Sequence, residues 1–200
     1  MSLKYEQRAV VLLDVLGFKD LVWRSEGPEA GRAAVTLAAF ARRIEDNKNN
    51  NKLRARAFSD SILITAAQRD LGRALKRAHE LYCWLIQNAG VVSRGAATVG
   101  SLYETGDVVF GPALIEAYCL ERSALYPRII LASKCDKKRV ERDIELKHDP
   151  HTVFVSPLAP GSSSKEWRRI FRECAERGRA SHPEGSREWD KYHWMLGQCE

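Results

Sequence analysis

Asp14 stands inside the run Ala9-Val10-Val11-Leu12-Leu13-Asp14-Val15-Leu16. An ionised carboxylate buried in such a run is costly unless it is paired or holds a cation. Its plain structural use would be a strand-end cap for a helix starting near Gly17-Phe18. Asp60, in Phe58-Ser59-Asp60-Ser61, reads by itself as ordinary hairpin-turn chemistry. Together the two suggest more. If the first strand lies beside the hairpin, its end and the hairpin tip converge. Two carboxylates and the Val15 carbonyl would then form an oxygen donor set suited to Mg²⁺ or Mn²⁺ carrying substrate phosphates.

The elements that must position these residues follow from the apolar pattern. Residues 9–16 form a β-branched and leucine run too short for a typical helix, which predicts a central strand buried on both faces. Helices are expected over 18–25 and 29–46, then a polar loop over 47–52. Strands at 53–58 and 62–66 form a tight hairpin through Ser59-Asp60-Ser61. The clearest helix begins after Asp70, read as its cap, and runs to Gly90 with Leu71, Leu75, Ala78 and Leu85 on one face. Strands follow at 91–99, 108–110 and 127–132, with a helix opened by Gly111-Pro112 between the last two. Ser133 reads as the cap of a short charged helix, 153–155 as a last strand, and Ser163-x-x-Glu166 as a capping box. Trp189, Tyr192, Trp194 and Met195 read as a tail docked on the body or on a dimer partner. The expected architecture is an α+β sheet with helices on one side and a βαββαβ heart, in a single domain over 1–200.

Composition narrows the function classes. The chain has 200 residues, 32 Lys and Arg against 26 Asp and Glu, and a net charge of +6, which suits phosphorylated ligands or nucleic acid. Its Arg clusters are interleaved with acids rather than forming a phosphate-tracking stripe, and no nucleic-acid fold motif is present, so nucleic-acid binding ranks last. Five widely spaced cysteines without a C-x-x-C pair argue against a disulfide framework. No apolar stretch is long enough for a bilayer, and MSLKYEQR lacks a signal-peptide core. The expectation is a cytoplasmic protein without membrane insertion. His148-Asp149-Pro150-His151 reads as a polar turn rather than a zinc site, and Cys119 has nothing nearby to make it a nucleophile.

Three segments carry a resemblance: Asp14-Val15-Leu16-Gly17-Phe18, Arg56-Ala57-Phe58-Ser59-Asp60, and Arg94-Gly95-Ala96-Ala97-Thr98-Val99-Gly100. With the stretch Gly106–Glu121 they resemble, in order and spacing, the catalytic domain of the class III nucleotidyl cyclases over residues 8–132, leaving 133–200 as a C-terminal strand and helix extension. The resemblance implies that domain's fold, a ferredoxin-like core with added strands. It also implies a homodimer with sites at the interface, and a nucleoside triphosphate held by two divalent ions, Mn²⁺ or Mg²⁺. The metal ligands would be Asp14, Val15 through its carbonyl, and Asp60, with the backbone of Leu16, Gly17 and Phe18 cradling the triphosphate at a helix start.

The departures are specific. Where the family reads a purine with a Lys and an acid, this chain has Arg56 and Val108; the family's late-helix Asn and Arg fall on Ile115 and Cys119. Arg94 or Arg122 would have to supply the catalytic positive charge. Loss of the purine readers with both aspartates kept is similar to the pyrimidine cyclases of the bacterial Pycsar anti-phage system, which share phrases such as DVLGFKD, FSDS and YPRI. That implies cyclic UMP or cyclic CMP made for a separate effector. Arg56 offers only donors and so favours the uracil O4 over the cytosine amino group. Tyr103, Tyr118 and Phe58 read as core residues or as stacking partners for the base. A non-catalytic nucleotide-binding module is the alternative.

Overall fold

The computed structural model describes residues 4–26, 30–45, 53–106, 108–159 and 165–200. β1 (Glu6–Val15) runs up the middle, antiparallel to β3 (Ser61–Ala67) on one side and β4 (Ser93–Thr105) on the other. β2 (Leu53–Phe58) pairs antiparallel with β3, closing the order β2-β3-β1-β4 expected of a ferredoxin-like core. Beyond it β6 (Ile129–Leu131) pairs parallel with β4, then β8 (Val153–Val155) and β7 (Leu146–His148) extend the sheet, while β5 (Val108–Phe110) folds back on the far end of β4.

The double burial of β1 explains its unbroken apolar sequence. Ala9, Val11, Leu13 and Val15 pack against α2 (Ala30–Glu45) and α3 (Leu71–Ala89). Val10 and Leu12 face the other way, against Leu63, Leu102 and the Ala113 and Ala117 of α4 (Pro112–Ser123). Helices therefore cover both faces, not one as expected. The misreading has a simple cause: the buried residues of α4 are Ala113, Ala117 and Glu121, two small and one charged, so its amphipathic signal in the sequence is weak. Thr98 fixes it further by donating to the Glu116 carboxylate at 2.8 Å.

Several local expectations change. Asp70 stands before α3 but makes no side-chain cap; it closes a 3₁₀ turn over Gln68–Asp70 and lies 3.8 Å from Arg73. Asp136, not Ser133, caps α5 (Lys137–Val140), accepting from the Arg139 amide at 3.1 Å. Ser163 and the 47–52 segment fall outside the described residues. β4 continues to Thr105, six residues past the expected strand end at 99, because Tyr103, Glu104 and Thr105 find a partner in β5. No helix among the described residues is long and apolar enough to cross a membrane.

The C-terminal segment docks on the body. α6 (Lys165–Ala180) buries Trp167 and Phe171, and α7 (Arg187–Gly197) buries Met195. Trp194 stacks on Tyr126 with centroids 5.3 Å apart. Beneath it the buried Arg128 lies over the rings of Tyr126, Phe154 and Trp194 and pairs with Asp149. The turn expected around His148 is real, because Asp149 accepts from the amides of His151 and Thr152 at 2.9 and 2.7 Å.

That arrangement makes a pH prediction. Partial burial pushes the Asp149 carboxyl up, but the Arg128 hydrogen bond and the two amides outweigh it and hold it well below the ordinary range. A depressed carboxyl stabilises the fold fully above its unfolded value of about 3.9, and the contribution is lost as pH falls below that value. The gap in urea midpoint between the native chain and Asp149→Asn is therefore expected to be constant from pH 7 to 5 and to shrink below about pH 4. A gap unchanged down to pH 3 would contradict it.

Candidate active site

The parity of β1 puts Asp14 on the α4 face of the sheet, in line with Val10 and Leu12. Its cross-strand neighbours are Ser61 on β3 and Arg94 on β4. The expected convergence with the hairpin is observed: the Val15 amide donates to the Asp60 carbonyl at 2.8 Å, tying the hairpin tip to the end of β1. Ser59 takes a left-handed φ of 54° to make that tip. The Asp14 carboxyl is raised above its ordinary range, first by burial and then by the charge of Asp60, against the pull of Arg94. The hairpin tip thus brings the Asp60 charge to bear on Asp14.

Arg94 is shared between two acids. Its Nε lies 3.2 Å from Asp14 Oδ2 and 2.6 Å from Glu121 Oε1. Glu121, on α4, is only 5% exposed in its side chain. Burial and the Asp14 charge push its carboxyl up, while Arg94 pulls it down. Sequence reasoning missed Glu121 because it sits among charged residues at a helix end; an i+4 offset from buried Ala117 was the available signal. Gly95 beside Arg94 is required by close approach, since a Cβ there would meet the Leu12 carbonyl at 2.5 Å.

Gly17 turns the chain from β1 into α1 (Phe18–Glu26) with φ of 81°, a conformation that favours glycine. The first helical bond is Leu21 to the Gly17 carbonyl at 3.2 Å, so the amides at the start of α1 precede the helical ladder and suit an anion. The Leu16 amide is already spent on the Val92 carbonyl at 2.8 Å. The expected cradle of Leu16, Gly17 and Phe18 therefore narrows to the amides of Gly17 and Phe18.

Arg56 occupies the same face two strands away, opposite Leu63, which is opposite Leu12. With strands about 4.8 Å apart it lies roughly 10 Å across the sheet from β1. It pairs with the buried Glu104 and donates to the Gly106 carbonyl at 2.7 Å. Glu104 also accepts from Thr65 at 2.8 Å and Arg8 at 3.0 Å. Burial alone would raise its carboxyl, but the Arg56 and Thr65 hydrogen bonds lower it. Glu104, also unanticipated, fixes the guanidinium plane.

Other expected residues lie elsewhere. Arg122 is on the outward side of α4, over the Tyr118 ring at 5.9 Å. Phe58 and Tyr118 are not core: they are 86% and 53% exposed. Tyr103 stacks on Phe110 with centroids 4.8 Å apart. Ile115 is 66% exposed and Cys119 is exposed, so neither faces the carboxylates from within the chain.

Among the described residues no group of three or more His, Cys, Asp or Glu side chains forms a ready metal cage. Asp14 and Asp60 nevertheless fit a hard divalent ion. They are all-oxygen donors with an excess of negative charge that a cation relieves, and Mg²⁺ habitually completes its sphere with water and substrate oxygens.

No protein-family model matches the sequence, and no curated protein matches it. Solved structures do. The adenylyl cyclase CyaB from P. aeruginosa superposes with a TM-score of 0.52 at 13% identity, covering 78% of this chain and 94% of that one. A bacterial light-regulated adenylyl cyclase gives 0.53 at 11%, covering 86% and 99%. The monomeric guanylyl cyclase domain of the RhoGC fusion protein from the aquatic fungus Blastocladiella emersonii gives 0.55 at 13%, covering 75% and 94%. The chain has the fold of the class III cyclase catalytic domain.

Proposed function

We propose that this chain is a nucleotidyl cyclase that converts UTP to 3′,5′-cyclic UMP and pyrophosphate. The product would serve as a second messenger for a separate effector in anti-phage defence. The observation that carries the reading is the meeting of Asp14 and Asp60 at the end of β1, on a cyclase fold. Asp14, Asp60 and the Val15 carbonyl would hold two divalent ions, Mn²⁺ or Mg²⁺, which when bound would supply Lewis-acid activation of the attacking hydroxyl and charge neutralisation. The chain's own residues do the rest. The amides of Gly17 and Phe18 orient the triphosphate, and Arg94, steered by Glu121, faces the reacting phosphate. The ribose 3′-oxygen bonds to the α-phosphorus as the bond to the β-phosphate oxygen breaks, and the 3′-hydroxyl proton leaves to water.

Arg56 supports the choice of base. The Glu104 oxygens are filled by Arg8, Arg56 and Thr65, so what remains for a ligand at that end is guanidinium donor capacity, which suits the uracil O4. CTP, giving cyclic CMP, is the runner-up. A homodimer suits the exposed apolar side chains around the site, Phe58, Val108, Ile115, Tyr118 and Leu125, which a second copy would cover. That arrangement would also bring the partner's α4 toward the site.

The test is incubation with ATP, GTP, CTP and UTP in Mn²⁺, with cyclic products resolved by chromatography. Cyclic UMP from UTP as the main product is expected. A purine product would overturn the base assignment. Metal-dependent nucleotide binding without pyrophosphate release would favour a non-catalytic module, the reading to which Ile115 and Cys119 point.

A further inference from the structure

A cleft of about 420 Å³ opens at the end of the sheet opposite the Asp14 site, where Gln7 at the start of β1, Ala67 at the end of β3 and Val99 of β4 line it. Gln7 precedes Asp14 by seven residues on β1, so an extended strand sets the two places about 24 Å apart. The volume lies in the range of small-molecule sites.

The floor of the cleft is apolar and its rim is basic. Leu71, Val99 and Val140 are buried core residues beneath it. Arg69, Lys134 and Arg139 line the same space against a single lining acid, Asp136. The three cations come from separate places: the 3₁₀ turn before α3, the loop after β6, and α5.

Their mounts are fixed. Val140 anchors α5 in the core, and Asp136 is engaged as its cap, accepting from the Arg139 amide at 3.1 Å. Gln7 is held by donating to the Ser101 hydroxyl at 3.0 Å. The charges are less well matched. Lys134 pairs with Glu116, which also accepts from Thr98. Arg69 has only Asp70, its chain neighbour, at 3.9 Å, and Asp70 divides itself between Arg69 and Arg73. Arg139 has no carboxylate partner among the described residues. An exposed pair such as Arg69 with Asp70 is worth little, so two guanidinium forks remain open to an anion. Three cations against one acid suit a phosphate dianion better than a singly charged carboxylate. The buried apolar floor calls for a body beyond the phosphate itself.

We propose that this cleft is a second ligand site, for a small phosphate monoester with an apolar or aromatic body, held by Arg69 and Arg139. Such a site stands whether or not the chain cyclises a nucleotide. Phenyl phosphate is the probe, titrated into the isotope-labelled full chain in EDTA at about pH 7.5, where the monoester is a dianion and no metal ion draws it to the aspartates. Saturable amide shifts are expected around Arg69, Leu71 and Arg139, with those of Gly17 and Phe18 unmoved. Arg69→Gln and Arg139→Gln should each weaken binding roughly tenfold, the lower end for a charge-assisted contact. Arg169→Gln, on the distant α6, should leave it unchanged. Inorganic phosphate lacks the apolar body and benzoate lacks the second charge, so both should bind more weakly than phenyl phosphate. Equal affinity for either of them, shifts centred on Gly17, equal losses in all three variants, or no saturable binding would overturn the assignment.

Discussion

On the proposed reading, Asp60→Ala is expected to lower cyclic-nucleotide formation by roughly a thousandfold or more, because it would remove one of the two carboxylates proposed to hold the metal ions, a contribution of several kcal/mol to the transition state. The fold should survive. What Asp60 contributes to the hairpin is its backbone carbonyl, which accepts from the Val15 amide at 2.8 Å, and alanine keeps that bond. Its side chain is exposed, so a stability change within about 0.5 kcal/mol is expected. The two measurements belong together: product by chromatography at saturating Mn²⁺, and the urea midpoint of the same preparation. Activity within tenfold of the native chain would remove Asp60 from the metal site, and loss of both activity and fold would mean that the turn, not the metal, had been tested.

The contrast between Asp14 and Asp60 shows what the sequence could reveal. Asp14 announced itself because it interrupts a β-branched run, and the meeting of its strand with the hairpin followed from the pattern of short strands joined by Ser-Asp-Ser. The order β2-β3-β1-β4 was implied only by the resemblance, as part of a ferredoxin-like core. Hidden from that reading were the partners that arrive from distant elements. Glu121 and Glu104 look in sequence like any surface acids, and only the packing of α4 and the return of β5 bury them. Their burial is what commits Arg94 and Arg56. The side of the sheet taken by α4 was misread because small residues leave little periodic signal. That Trp194 docks on the body was an expectation, but its place over Tyr126 and Arg128 depended on the packing of a segment beyond residue 132, which no local pattern specifies.

Arg94→Ala is the substitution expected to damage stability most around the site. It leaves Glu121, whose side chain is 5% exposed, and Asp14, 21% exposed, facing each other without their shared cation. Removing one partner of a buried pair typically costs about 3–5 kcal/mol; the partial exposure of Asp14 and Arg94 places this case near the lower end, at about 3 kcal/mol. The deficit should depend on pH with a definite sign. Burial and mutual repulsion already raise both carboxyls, and without Arg94 they rise further. A carboxyl whose folded value lies above its unfolded value binds its proton more readily in the folded state. Stability relative to the native chain is therefore lowest above that folded value and recovers as pH falls through it. Urea unfolding should show a larger gap between the two proteins at pH 8 than at pH 5. The double variant Arg94→Met with Glu121→Leu tests the origin of the effect, since replacing a buried ion pair by apolar groups of similar size is often neutral. It should regain much of the lost stability while cyclase activity stays absent, because the cation proposed to face the phosphate is still missing. Native-like stability in Arg94→Ala, or a gap that does not change between pH 8 and 5, would show that Asp14 and Glu121 are not held together by this arginine.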